Sequence, residues 1–127
     1  HALVVTYFMG TGRWLEETCN AYKLGNDWQQ TSKNLKWKMY PAMMTSLLLL
    51  ITAGAFGAAA DPASPVNFRG FGPLTAAQVH LVFVSVTIAV NLAVNFWEFI
   101  ALTRNGQLVN EVLGRVRQIR IERGLEV

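Results

Sequence analysis

Six polar residues sit in one largely apolar stretch of this chain, and five of them, all but Ser85, share a spacing: His80, Thr87, Asn91, Asn95 and Glu98. The steps between them are seven, four, four and three residues, so an α-helix would carry all five on one face. Val82, Val86, Ala89, Ala93 and Ile100 would then form the opposite, apolar face. Such a stripe has two uses. Ionisable groups in apolar surroundings are costly and often mark ion or proton paths. A homo-oligomeric channel or transporter, with Thr87, Asn91, Asn95 and Glu98 lining the path, is one reading. Amides and hydroxyls also hydrogen-bond between helices, worth about 0.6 kcal/mol per bond on average in a membrane. Asn91 and Asn95 do not ionise and make a poor proton relay, so interhelical bonding is the expectation.

His80 adds a redox alternative. A neutral imidazole is a good axial ligand for haem or a chlorophyll-type pigment, which would make the chain a redox anchor. The plainer reading is a histidine about five residues past a helix cap. Other chemistries find no support. The single cysteine, Cys19, excludes an internal disulfide and a cysteine zinc site within one chain. Glu16 and Glu17 have no histidine at the Glu-x-x-His offset. Gly10 and Gly12 lack the further glycine and Lys-Ser/Thr of a nucleotide loop, and are better read as letting another helix approach. No catalytic or metal-binding residue, no cofactor and no enzymatic activity is expected; bound lipid is.

The elements that must hold the stripe follow from where charge is missing. The 127 residues are 52% hydrophobic and only 15% charged, against roughly 25% charged in a soluble domain. Residues 41–60 and 70–97 contain no Asp, Glu, Lys or Arg. Each run exceeds the roughly 18 residues that separate a membrane span from a buried soluble helix. The sequence therefore predicts an all-α integral membrane hairpin of two spans. Interfacial and cytoplasmic amphipathic helices flank it, and the N-terminus leaves room for a third, partial span.

Within this single membrane domain, 1–24 reads as an N-terminal helix. Its uncharged part, 1–12, reaches about 18 Å at 1.5 Å per residue, so it is an interfacial helix or a truncated span. Residues 24–30 form a loop, with Thr31 or Ser32 as a cap. Over 31–60 an interfacial helix leads into the first span. Lys33, Lys36, Trp37, Lys38 and Tyr40 are its anchors, rings among headgroups and lysines reaching toward water. The small residues that end this span, Gly54 and Gly57 among them, invite close helix packing. Residues 61–74 hold three of the four prolines and read as a loop. Thr75 caps the second span, 75–102. Residues 103–124 form a cytoplasmic amphipathic helix with an apolar seam at Val109, Val112, Val116 and Ile119. Asn105 and Gly106 either break it from the span or are simply part of one continuous helix.

Basic residues flank the spans on one side, while the connecting loop has only Arg69. The positive-inside rule puts both flanks in the cytoplasm and the 61–74 loop outside. This pattern is one of membrane topology, not a nucleic-acid footprint. The overall expectation is a non-catalytic accessory subunit of a respiratory, photosynthetic or transport complex. It would lie in a bacterial inner membrane or an equivalent energy-transducing membrane, with other membrane subunits and lipids as partners.

Overall fold

A computed structural model describes residues 1–125. It is 82% helical, in three helices: α1 (Ala2–Tyr22), α2 (Asp27–Ala60) and α3 (Ala76–Glu122). Between α2 and α3 lie two short antiparallel strands, β1 (Gly70–Phe71) and β2 (Leu74–Thr75). α2 and α3, of 34 and 47 residues, are each long and apolar enough to cross a membrane.

The helix ends have local causes. α1 stops in a Schellman motif. Lys23 takes a left-handed conformation (φ 53°, ψ 41°), its N–H donating to the Asn20 carbonyl and the Leu24 N–H to that of Cys19. Leu24 then packs on Leu15 and Cys19, the apolar contact that accompanies this cap. α2 begins at Asp27, four residues ahead of the expected Thr31. The Thr31 hydroxyl donates to the Asp27 carbonyl from inside the helix rather than capping it. Pro41 lies within α2 without ending it. Thr75 caps α3 as expected, and Gln78 completes a capping box: Gln78 N–H donates to Thr75 Oγ1 and Thr75 N–H to Gln78 Oε1. Asn105 and Gly106 do not break α3, which continues to Glu122.

The β1–β2 turn depends on two glycines. Gly72 has φ +55° and precedes Pro73, the arrangement of a type II′ hairpin turn. Gly70 has φ +111°, and a side chain there would collide with the Leu74 carbonyl oxygen.

The chain divides into two compact units. The first comprises His1–Tyr40 together with α3 from Trp97 onward. Hydrogen bonds within it link α1 to α3 and α2 to α3. Thr11 meets Asn105, and Leu15 and Cys19 meet Val112 further along, so α1 and α3 run parallel here. Trp28 meets Glu111 and Ser32 meets Asn105, so α2 runs antiparallel to α3.

The second unit is Pro41–Phe96. Its buried residues include Met43, Ser46 and Ala53 on α2, and Val79, Thr87 and Val94 on α3. The loop folds back onto these helices through aromatic rings. Phe56 stacks against Phe83 at 4.7 Å between centroids and touches Phe68 and Phe71 near 6 Å. Pairs of this kind add about 0.5–1.5 kcal/mol beyond burial.

A left-handed non-glycine residue costs of order 1 kcal/mol or more. Lys23→Gly is therefore expected to raise stability by about 1 kcal/mol, read as a higher midpoint of helix loss by circular dichroism.

Candidate functional site

The polar groups of the first unit converge on Asn105, which is fully buried. Ser32 Oγ on α2 donates to Asn105 Oδ1 at 2.7 Å, and Asn105 Nδ2 donates to Thr11 Oγ1 on α1 at 2.9 Å. One amide thus ties three helices together. One stripe on α3, at intervals of seven, carries Glu98, Asn105 and Val112. Glu98 pairs with His1 Nδ1, both side chains being buried. Val112 sits with Leu15 and Cys19 in an apolar cluster, walled by Trp14, Trp28 and Val116. Trp28 Nε1 also donates to Glu111 at 3.1 Å.

This packing covers the apolar seam of α3. The sequence marks the seam as apolar without saying what covers it; residues of α1 and Trp28 of α2 do. Val112 is fully buried and Val116, Ile119 and Val109 are half-buried. Leu108, at 3% exposure, is the buried residue the sequence reading passed over. A buried stripe at alternating steps of three and four runs through 98, 101, 105, 108 and 112, and it explains both facts.

The five-residue polar face is only partly kept together. Thr87 and Glu98 are buried, His80 and Asn91 half-buried, and Asn95 exposed. At about 100° per residue, Asn95 lies some 60° off the line from His80 through Glu98. Asn91 Nδ2 donates to the Thr87 carbonyl of its own helix at 2.9 Å. Val82, Val86, Ala89, Ala93 and Ile100 are exposed, as the opposite face was expected to be.

In the second unit the His80 imidazole lies against Gly57 of α2. A Cβ built at Gly57 would come within 2.9 Å of His80 Cε1, so this glycine is what lets the ring fit. Gly54 has open space around it. Gly10 and Gly12 are open as well, so the close helix approach expected there is not seen. Three buried polar atoms of this unit have no hydrogen-bond partner: Ser46 Oγ, His80 Nδ1 and Thr87 Oγ1.

The expected interface anchors form a cluster on α2. Trp37 is 67% exposed, its ring 5.9 Å from Tyr40, with Lys36 Nζ 5.8 Å above it. Lys33 and Lys38 are exposed beside them. The Cys19 thiol is buried, and that burial raises its pKa, offset in part by Gln29; a thiol so placed is a poor nucleophile. Among the described residues no three His, Cys, Asp or Glu side chains are grouped to hold a metal ion. What this arrangement does chemically is bond helix to helix.

Sequence reading missed His1 and Asn105 as pairing residues. Extending the stripe by seven from Glu98 reaches Asn105 and would have found it; nothing local signals the His1 contact.

Removing a buried hydrogen-bonding group leaves its partners unsatisfied at about 1–3 kcal/mol. Asn105→Leu is expected to lower stability by about 2–3 kcal/mol, and Thr11→Val by about 1 kcal/mol, in denaturant titrations followed by circular dichroism. Overpacking costs about 1–3 kcal/mol, so Gly57→Leu should destabilise the fold by that amount while Gly54→Leu leaves it unchanged. Comparison of the chain with protein-family models, with curated proteins and with solved structures found no match.

Proposed function

We propose that this chain is an integral membrane protein. It crosses the bilayer twice, with both flanks on the cytoplasmic side, and serves as a non-catalytic accessory subunit of a larger membrane complex. The uncharged part of α2 from Met39 measures about 33 Å, and α3 up to Leu102 about 40 Å. Both exceed a hydrocarbon core of about 30 Å. The most apolar window of each helix is only 17% buried within the chain. Faces such as Leu81, Val86, Ile88, Leu92 and Phe96 are exposed, and in water they would form a patch far beyond what soluble proteins tolerate. The uncharged start of α1 runs beside Glu98 to Asn105, so it would dip into the cytoplasmic leaflet.

One observation favours a protein partner over lipid alone. Asn95 is exposed among Leu92, Phe96 and Phe99, and its side-chain amide makes no hydrogen bond among the described residues. A bare amide facing hydrocarbon is costly, and a neighbouring helix would satisfy it. The host is best sought among complexes of energy-transducing membranes, where small helical subunits are common.

The wild-type chain should stay in the membrane pellet through alkaline carbonate extraction; release into the supernatant would sink the membrane reading. Asn95→Leu should remain membrane-bound but lose about threefold in the yield of co-purifying partner in mild detergent, the worth of one interhelical hydrogen bond. An unchanged yield would rule out the role given to Asn95. If only self-association weakens, the partner is a second copy of this chain.

A further inference from the structure

The first unit has an apolar groove of about 320 Å³ between α2 and α3. Met39 and Ala101, both nearly fully buried, form its floor. Leu35, Ile100 and Trp97 form its walls, and Trp97 is 57% exposed. Lys38 and Arg104 stand at its rim. Lys38 is the last cation before the uncharged run of α2, and Arg104 the first after that of α3.

Among the described residues neither cation is ion-paired. Arg104 Nη1 donates only to the neutral amide of Gln107, at 3.2 Å, and Lys38 makes no hydrogen bond or ion pair among the described residues. Among the described residues no carboxylate lines the groove. The nearest one along α3, Glu98, is taken by His1. The Trp97 indole N–H has no acceptor within the described chain. The groove therefore offers an apolar trough that ends at two unneutralised cations and a free N–H donor.

We propose that this groove is a binding site for an anionic phospholipid of the cytoplasmic leaflet. One acyl chain lies along Met39 and Ala101, and the phosphate sits between Lys38 and Arg104. The proposal rests on the membrane reading above, which places these two residues at the cytoplasmic headgroup level. A trough this narrow takes one hydrocarbon chain rather than a helix. Two cations with no counter-charge select a headgroup of net negative charge over a zwitterionic one. Basic side chains flanking spans on the cytoplasmic side commonly meet such lipids.

The test uses the full chain in phosphatidylcholine vesicles. A minor fraction of the lipid is brominated in its acyl chains, either as phosphatidylglycerol or as phosphatidylcholine. The difference in quenching between wild type and Trp97→Phe reports the lipid beside Trp97. Brominated phosphatidylglycerol should be enriched there about 30-fold over brominated phosphatidylcholine, from two cations at about 1 kcal/mol each. Lys38→Gln/Arg104→Gln should abolish the preference. Lys33→Gln/Arg115→Gln, which removes the same charge elsewhere, should keep it. Equal quenching of the wild type by the two lipids overturns the site and leaves the membrane reading standing, and needs no charge variant to be seen. Loss of the preference in the Lys33/Arg115 control also overturns it, because the effect would then be diffuse surface charge. No quenching by either lipid overturns the membrane reading and the site with it.

Discussion

The amide of Asn105 has to be satisfied where it is, and the first unit is arranged around that requirement. It is fully buried in the middle of a 47-residue helix. Its donor and acceptor are met from opposite partners, Thr11 on α1 and Ser32 on α2. Leaving either side unmet would cost about 1–3 kcal/mol, so the helices are held to one register. Sliding α1 by a turn would separate Thr11 from Asn105. It would also pull Leu15 and Cys19 off Val112 and His1 off Glu98, because all three contacts lie on one stripe of α3. Apolar packing alone tolerates such a slip far better than a hydrogen-bonded amide does, and one buried Asn fixing register is a known use of this residue.

The second unit solves its packing differently. Small side chains do there what a polar hub does in the first unit. Ser46 and Ala53 are buried on α2, and Gly57 makes room for the His80 ring. Its polar atoms are poorly served by comparison, since Ser46, His80 and Thr87 each keep a buried atom without a partner. Close packing between backbones gains dispersion energy without needing water to drive it. That suits a unit whose outer faces are almost wholly apolar. At the far end, Phe56, Phe68, Phe71 and Phe83 close the loop onto the helices with the same kind of contact.

The parts of this architecture that are local in sequence were legible in it. The uncharged runs located both long helices, the prolines located the loop, and Thr75 as a cap located the start of α3. Asp27 was missed as a helix start because the Gly-Asn-Asp run reads as a turn, and Thr31 is an equally good cap by type. Asn105 with Gly106 resembles a helix stop by composition. Only the contacts of Asn105 with residues 73 and 94 positions away reveal it as a hub. The seam from Val109 to Ile119 was legible as apolar, but the helix that covers it was not, since periodicity shows that a face is buried and not by what. Phe68 and Phe71 were hidden for the same reason. Inside a glycine- and proline-rich loop, nothing in their spacing points to Phe56. Of the five-residue polar face, Asn95 alone drifted outward, because steps of four overrun a 3.6-residue turn and the excess accumulates.

Charge and contact divide this chain at the same places. The second unit, Pro41–Phe96, contains Asp61 and Arg69 as its only charged residues. Its boundaries fall between Lys38 and Pro41 on one helix and between Phe96 and Glu98 on the other. The two units differ in packing as well as in charge. A soluble protein has no reason to confine its charges to one of two packed units, because water bathes both. A chain that lies partly in lipid does, since each ionised side chain near the bilayer centre costs about 2.5–3.5 kcal/mol on insertion scales. The one carboxylate close to the boundary, Glu98, is buried against His1 rather than exposed, which on the proposed membrane reading would keep it away from hydrocarbon. The cations nearest the boundary, Lys38 and Arg104, are exposed and have no ion pair among the described residues, which on the proposed membrane reading puts them where anionic headgroups would meet them.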